Sequence, residues 1–362
     1  MEPLTKVSPP AYTWQAIAAM VIGAALVILA FVIFLFQVAT PVENRPGSWK
    51  VYSQVTKLAP LGCPVNEQTD GGRLCDYYVA GSAYSVFPSA KVYDYVSDKI
   101  LPLVVKAGAR IIELDIYSDP DGNPVVGLKN QQTGTDYAYN TVSFSSCCVN
   151  ICNTAFNSAM TPVASDPFIL SLVFQTKNTT TMNACAQILK NTCGKYLLPS
   201  EYSYERKNLA VEPVCNLQNK LIVISGDAKG TLLEELVNMS WTSSHLRRLT
   251  YTQASQPYDH EELVKFNRNN ITIVVPDLGS DLKNVNPQIL LTYGCQWNLM
   301  NYGSIDDMME LYIGEFQMGS FVLKPLALRA LKPKKYKTPV LPDPTVSFQP
   351  MQKTSPIYNV TI

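Results

Sequence analysis

Three rhythms of apolar and polar residues divide this chain of 362 residues. The first is unbroken: Ala16 to Phe36 are 21 uncharged, overwhelmingly apolar positions. As a helix they span about 32 Å, close to the roughly 30 Å hydrocarbon core of a bilayer. The run exceeds the roughly 7–15-residue apolar core of a signal peptide. It therefore predicts an uncleaved membrane-spanning anchor over residues 14–40, rather than a cleaved leader or a buried core helix. Lys6 and the amino terminus flank one side and Arg45 and Lys50 the other, and that balance gives the anchor no orientation.

The second rhythm, from about residue 50 to 330, alternates short β-rich apolar runs with helical stretches. The strand candidates are Tyr77–Ala80, Arg110–Ile116, Pro124–Leu128, Phe168–Phe174, Leu221–Ser225, Leu246–Tyr251, Ile271–Val275 and Gln296–Asn301. Helices are expected near Ala90–Lys106, Met182–Asn191, Gly230–Met239 and His260–Asn267. Eight strands alternating with helices predict an α/β fold of the TIM (β/α)8 barrel type. The third rhythm is the segment Leu331–Ile362, with six prolines and the basic cluster Lys332, Lys334, Lys335 and Lys337. Too poor in apolar residues to fold alone, it predicts an extended arm, either a free tail or one lying along a partner or an anionic surface. The expected organisation is a tail (1–13), an anchor (14–40), a polar linker (41–49), a barrel (50–330) and a Pro-rich basic arm (331–362).

Composition narrows the setting. A net charge of zero and a charged fraction of 16% leave no basic stripe, so no nucleic-acid partner is expected. All nine cysteines lie beyond the apolar run, and pairing among them would place the large domain outside the reducing cytosol. Cys63 with Cys75 is the expected local bridge, and Cys295 the expected free, buried thiol. A zinc site at Cys147, Cys148 and Cys152 is the alternative, without a histidine or C-x-x-C spacing behind it. Sequons at Asn178, Asn238, Asn270 and Asn359 are compatible with a non-cytosolic domain, although about this many arise by chance. The chain has no G-x-S-x-G, H-E-x-x-H or phosphate-loop motif.

Four blocks carry a resemblance. They are Gly294-Cys295-Gln296-Trp297-Asn298-Leu299-Met300-Asn301-Tyr302, Phe321-Val322-Leu323-Lys324-Pro325 with Arg329, Arg110-Ile111-Ile112-Glu113-Leu114-Asp115, and the Asp119–Lys129 segment with its Asp121-Gly122 turn. Together they resemble the catalytic barrel of eukaryotic-type phosphoinositide-specific phospholipase C over about residues 77–330. The resemblance implies a distorted barrel of the phospholipase C type with fused X and Y halves. It also implies phosphodiester cleavage by a histidine pair with a calcium ion, while basic residues hold ring phosphates.

Carried over position by position, most of that chemistry is missing. The family's first histidine falls on Ala83 and its calcium-binding Asn on Tyr84. The second histidine falls on Leu128 and a calcium carboxylate on Val173. Its phosphate-gripping lysines fall on Ser225 and Asp227. The R-I-Y-P run corresponds to Ile273-Val274-Val275-Pro276, and the ring-stacking Tyr falls on Val285. Two calcium carboxylates remain, Glu113 and Asp115, two apart and hence on one face of a strand. They are candidate metal ligands or structural groups, since calcium takes about 6–8 oxygen ligands. Neither His245 nor His260 lies in a segment that supplies the family's acid or base, and both read as surface or cap-proximal residues. Tyr84 or Lys129 could act as a base only with a strongly lowered pKa.

The expectation is therefore a membrane-anchored, phospholipase C-like pseudoenzyme that serves as a binding or structural module, with no catalytic or substrate-binding residue assigned. No cofactor is expected, calcium being the one metal the resemblance leaves open. Its expected partners are a membrane and a protein bound through the barrel surface or residues 331–362. The expected location is a single-pass membrane protein with its large domain lumenal, extracellular or on a virion, and domain economy suggests a large DNA virus particle. The alternatives are a divergent metal-dependent phosphodiesterase acting on a phospholipid or sugar phosphate, and a lipid-binding module without turnover.

Overall fold

The computed structural model describes residues 13–39, 58–63, 72–129, 134–226, 228–279, 281–330 and 350–362. The expected linker 41–49 and nearly all of the tail 1–13 lie outside them. The apolar run forms one helix, α1 (Trp14–Ala39), whose stretch Trp14–Phe36 is long and apolar enough to cross a membrane and is not buried by the rest of the chain.

Eight parallel strands make a nearly closed barrel. In chain order they are β2 (Gly81–Ser82), β3 (Ile111–Ser118), β6 (Phe168–Phe174), β7 (Leu221–Ser225), β8 (Met239–Ser240), β9 (Leu246–Thr250), β10 (Ile271–Val275) and β11 (Trp297–Met300). They lie side by side in the order β8-β7-β6-β3-β2-β11-β10-β9. No ladder joins β8 to β9 among the described residues, so the barrel is open at that seam. A buried parallel strand needs apolar side chains on both faces, which explains the predominantly apolar runs of β6, β7 and β10.

Two apolar layers follow from strand parity. Ile111, Ile169, Ile222, Ile224, Ile273 and Trp297 fill the lumen. Ile112, Leu114, Leu170 and Leu172 face outward toward helices that include α2 (Leu101–Lys106), α3 (Phe144–Ala155) and α4 (Thr179–Cys193). The second half of the barrel adds α5 (Tyr251–Ser255), α6 (His260–Asn267), α7 (Pro287–Thr292) and α8 (Asp307–Glu315).

Several expectations change. Two of the eight strand candidates are not barrel strands. Tyr77–Ala80 forms β1 (Tyr77–Val79), paired antiparallel with β12 (Phe321–Leu323), and Pro124–Leu128 forms β4 (Pro124–Val126) in a hairpin with β5 (Val142–Ser143). Their places are taken by β2 and β8, each two residues long and too short to show a period. The helix expected over Gly230–Met239 is a series of turns, because Asn183 Oδ1 accepts from Leu232 N and Glu234 Oε2 from Gly230 N. Only Asp98–Lys106 of the Ala90–Lys106 helix forms, since Tyr93 N is drawn away to Tyr137 O. Cys63 pairs with Cys215, not with its neighbour Cys75, and Cys152 pairs with Cys193, which removes it from the alternative zinc set. Cys75, Cys147, Cys148, Cys185 and Cys295 are free and buried, as expected for Cys295.

Residues 331–362 form a second unit. Within it, β13 (Gln352–Thr354) and β14 (Asn359–Thr361) pair antiparallel, so the end of the expected arm is a hairpin. Its basic cluster lies outside the described residues.

Candidate functional site at the barrel mouth

Parity also decides which polar groups enter the lumen. Along β3, Glu113 and Asp115 share the inward face with Ile111, and Asp115 reaches Gln175, just past the C-terminal end of β6. Along β9, Arg248 shares the inward face with Leu246, which is part of the lumenal core. Arg247 faces out, where it pairs with Glu262 on α6 and lies over Phe266.

From β9, Arg248 crosses the lumen to β3. Its Nη2 donates to Glu113 Oε1 at 2.7 Å and its Nε to Oε2 at 3.3 Å. Ser171 Oγ, on β6, donates to the same Oε2 at 3.0 Å. Glu113 is thus buried and held by three donors, while the Arg248 guanidinium lies 5.5 Å over the Trp241 ring. Burial works against the Arg248 charge, but Glu113, Asp115 and Tyr84 outweigh it and hold the guanidinium above its ordinary value.

Asp115 accepts from Gln175 Nε2 at 2.8 Å. Burial first, and then repulsion from Glu113, push its carboxyl up to about 7 against the pull of Gln175 and Arg248. Tyr84 adopts a left-handed backbone (φ 51) and donates its hydroxyl to Pro276 O at 3.1 Å. Burial raises that hydroxyl further from ionisation, as do Asp115 and Glu113. The direction is opposite to what a general base needs.

The remaining positions named from sequence are apolar or turned away. Ala83, Leu128, Val173, Ile273 and Val275 are buried apolar residues, and Val285 packs half-buried on the outer layer. Ser225 faces outward and donates to Leu172 O, whereas Asp227 lies outside the described residues. Lys129 pairs with Asp136 at 2.8 Å and lies 5.7 Å over the Tyr117 ring. His245 is exposed beside Asn270, and His260 is exposed and stacked on Tyr293. A surface cleft lined by Asp259, His260, Arg268 and Tyr293 sits on the outer side of α6 and α7. The sequence reading missed Arg248, Ser171 and Gln175. The signal was available for Arg248: in Leu246-Arg247-Arg248-Leu249 one of two adjacent arginines must share the buried face of Leu246.

These groups do not fit calcium. Both Glu113 oxygens and Asp115 Oδ1 are already engaged by a guanidinium, a hydroxyl and an amide, and Arg248 adds positive charge where the ion's own would sit. Among the described residues, no three His, Cys, Asp or Glu side chains are grouped to hold a metal.

Comparison with known families decides what this barrel is. The profile of the phosphatidylinositol-specific phospholipase C X domain matches residues 72–226, and that of the Y domain matches residues 226–327. The chain belongs to the phosphatidylinositol-specific phospholipase C family. PLC21 from S. officinalis has a similar structure, with a TM-score of 0.61 at 20% identity over 73% of this chain and 38% of that one. PLC21 from L. pealei gives 0.61 and 20% over 72% and 38%. These likenesses establish a phospholipase C-type fold, and this chain spans well under half the length of either protein. A calcium-dependent phosphoinositol-specific phospholipase C from Pseudomonas sp. is more distant, with a TM-score of 0.40 at 11% identity over 63% of this chain and 90% of that one. No curated protein sequence matches this chain.

Proposed function

We propose that this phospholipase C-type chain is a membrane-anchored pseudoenzyme, a barrel kept as a binding or structural module. One observation carries the reading: Arg248 fills the lumen and neutralises Glu113, one of the two carboxylates left from the family's metal set. A phosphodiester arriving there would meet no histidine. The Tyr84 hydroxyl is held in its protonated form, and the cationic group beside Glu113 is already committed to that carboxylate. Each positioned acid or base contributes roughly 10²–10⁴-fold, so loss of both accounts for an idle site.

α1 supports the anchoring, being apolar and long enough to span a bilayer. The Cys63–Cys215 and Cys152–Cys193 bridges support a large domain outside the cytosol. A large DNA virus envelope is one such setting, on domain economy alone. Protein partners bound through the barrel surface or residues 331–362 belong to the same proposal.

A second reading is a divergent phosphodiesterase. It has one feature in its favour: Glu113 and Asp115 share the inward face of β3. It requires Arg248 to leave Glu113 so that calcium or another divalent ion can approach. Turnover separates the two. The full chain is given phosphatidylinositol in mixed micelles with calcium, magnesium or manganese, beside Glu113→Gln. The pseudoenzyme reading expects no inositol phosphate above the variant. Metal-dependent product that disappears in the variant would establish the phosphodiesterase.

A further inference from the structure

The point where the chain from α1 joins the barrel is described, and it lies at the end opposite to the candidate site. Leu58 is buried and packs against Gly108, where a Cβ would come within 2.8 Å of it. Ala59 N donates to Met318 O at 3.0 Å. Leu61 N donates to Asp166 Oδ1 at 2.8 Å, and Leu61 O accepts from Gln218 Nε2 at 3.0 Å. Cys63 is then bonded to Cys215. Each partner precedes a strand: Gly108 comes before β3, Asp166 before β6, Cys215 and Gln218 before β7, and Met318 before β12. Residues 58–63 therefore run across the N-terminal floor of the barrel and are fixed there by packing, hydrogen bonds and a covalent bond. Glu113, Asp115 and Arg248 act at the other end.

We infer that the barrel stands on its floor above the bilayer its own helix enters. The mouth then faces the aqueous side, and whatever it binds arrives from outside that bilayer. The inference rests on the anchoring reading above. Eighteen residues, 40–57, connect Ala39 to Leu58, and at full extension they reach about 60 Å. An upright barrel needs little of that reach. Inverted, it requires the connection to climb the flank past strands of about 26 Å and past the rim loops.

The test uses the full chain in vesicles carrying headgroup-nitroxide lipids, with a fluorophore on one introduced cysteine. The floor site is Met318→Cys and the rim site Tyr139→Cys, both at exposed positions. The five native free thiols are buried and do not compete for label. The floor label is expected to be quenched several-fold more than the rim label. The same order should hold after residues 41–48 are deleted, which shortens the reach to about 35 Å. Quenching of the rim label equal to or above that of the floor label would overturn the inference. Flotation is read first: a chain that does not float with vesicles refutes the anchoring and the orientation together. A floating chain with a quenched rim refutes the orientation alone.

Discussion

The floor and the mouth of this barrel have fared differently. At the floor, the motif residues shared with the family do structural work. Gln296, fully buried, donates to Cys75 O, Asn267 O and Asn270 O and accepts from Thr272 N. Lys324, also buried, donates to Asn267 O at 2.7 Å and Gly294 O at 3.3 Å, and Arg329 Nε donates to Lys324 O. These bonds tie together the segments that precede β1, β10 and β11 and the end of β12. At the mouth, the positions where the resemblance implies a histidine pair and a calcium carboxylate hold Ala83, Leu128 and Val173, and Glu113 and Asp115 are held by protein donors. The difference teaches that the floor is held by a shared network of buried polar side chains, while the mouth, on the proposed reading, is held by one ion pair across the lumen. Buried polar groups at the floor cannot be removed without leaving orphaned partners, whereas at the mouth, on the proposed reading, only the Arg248–Glu113 pair is bound by the same constraint.

The largest expected effect lies at the mouth. Arg248→Met leaves Glu113 buried without its counter-charge, and breaking such a pair costs about 3–5 kcal/mol. The double variant Arg248→Met/Glu113→Leu should lie within roughly 1 kcal/mol of the native chain, because it removes both charges. Urea unfolding of the three proteins measures this. A double variant as unstable as the single one would show that the pair does more than neutralise itself.

At the floor, Gln296→Leu orphans three carbonyls and one amide, with an expected loss of about 3 kcal/mol. If its midpoint of unfolding matched that of the native chain, the contrast between the two ends would fail.

Asp115 sharpens the comparison through pH. Its carboxyl is raised to about 7 in the folded chain, against about 3.9 when unfolded. Between those values the folded state holds the extra proton, so the contribution of Asp115 to stability is full below about pH 4 and is lost as pH rises through about 7. Asp115→Asn should therefore be more stable than the native chain at pH 8, by roughly 2–4 kcal/mol, and close to it at pH 4. Equal differences at the two pH values would place the Asp115 titration elsewhere.

The smallest effects belong to the histidines. His245→Ala and His260→Ala remove exposed side chains and should change stability by no more than about 0.5 kcal/mol. Any larger loss, read from the same unfolding curves, would give one of them a structural role that its surroundings do not show.

Much of the fold was legible because burial on both faces writes continuous apolar runs. Phe168–Phe174, Leu221–Ser225 and Ile271–Val275 read as strands and are strands to the residue, and His260–Asn267 reads as the helix it is. What stayed hidden was set by tertiary contacts. The two-residue strands Gly81–Ser82 and Met239–Ser240 take their conformation from neighbouring strands, so nothing local marks them. The Cys63–Cys215 bridge spans 152 positions, a pairing that spacing cannot choose among nine cysteines. At the site, Glu113 and Asp115 were legible because the resemblance marked them and strand parity put them on one face. For Arg248, parity could have placed the side chain in the lumen, but its partner, on a strand 135 positions earlier in the chain, had no local signal.

The most direct test of a self-neutralised mouth is calcium titration by calorimetry of the native chain, Arg248→Gln, and Arg248→Gln/Glu113→Gln. The account predicts no Glu113-dependent heat from the native chain. It predicts a weak site, about 10⁻³ M, in Arg248→Gln, which is lost again in the double variant. Calcium binding by the native chain that Glu113→Gln abolishes would contradict it.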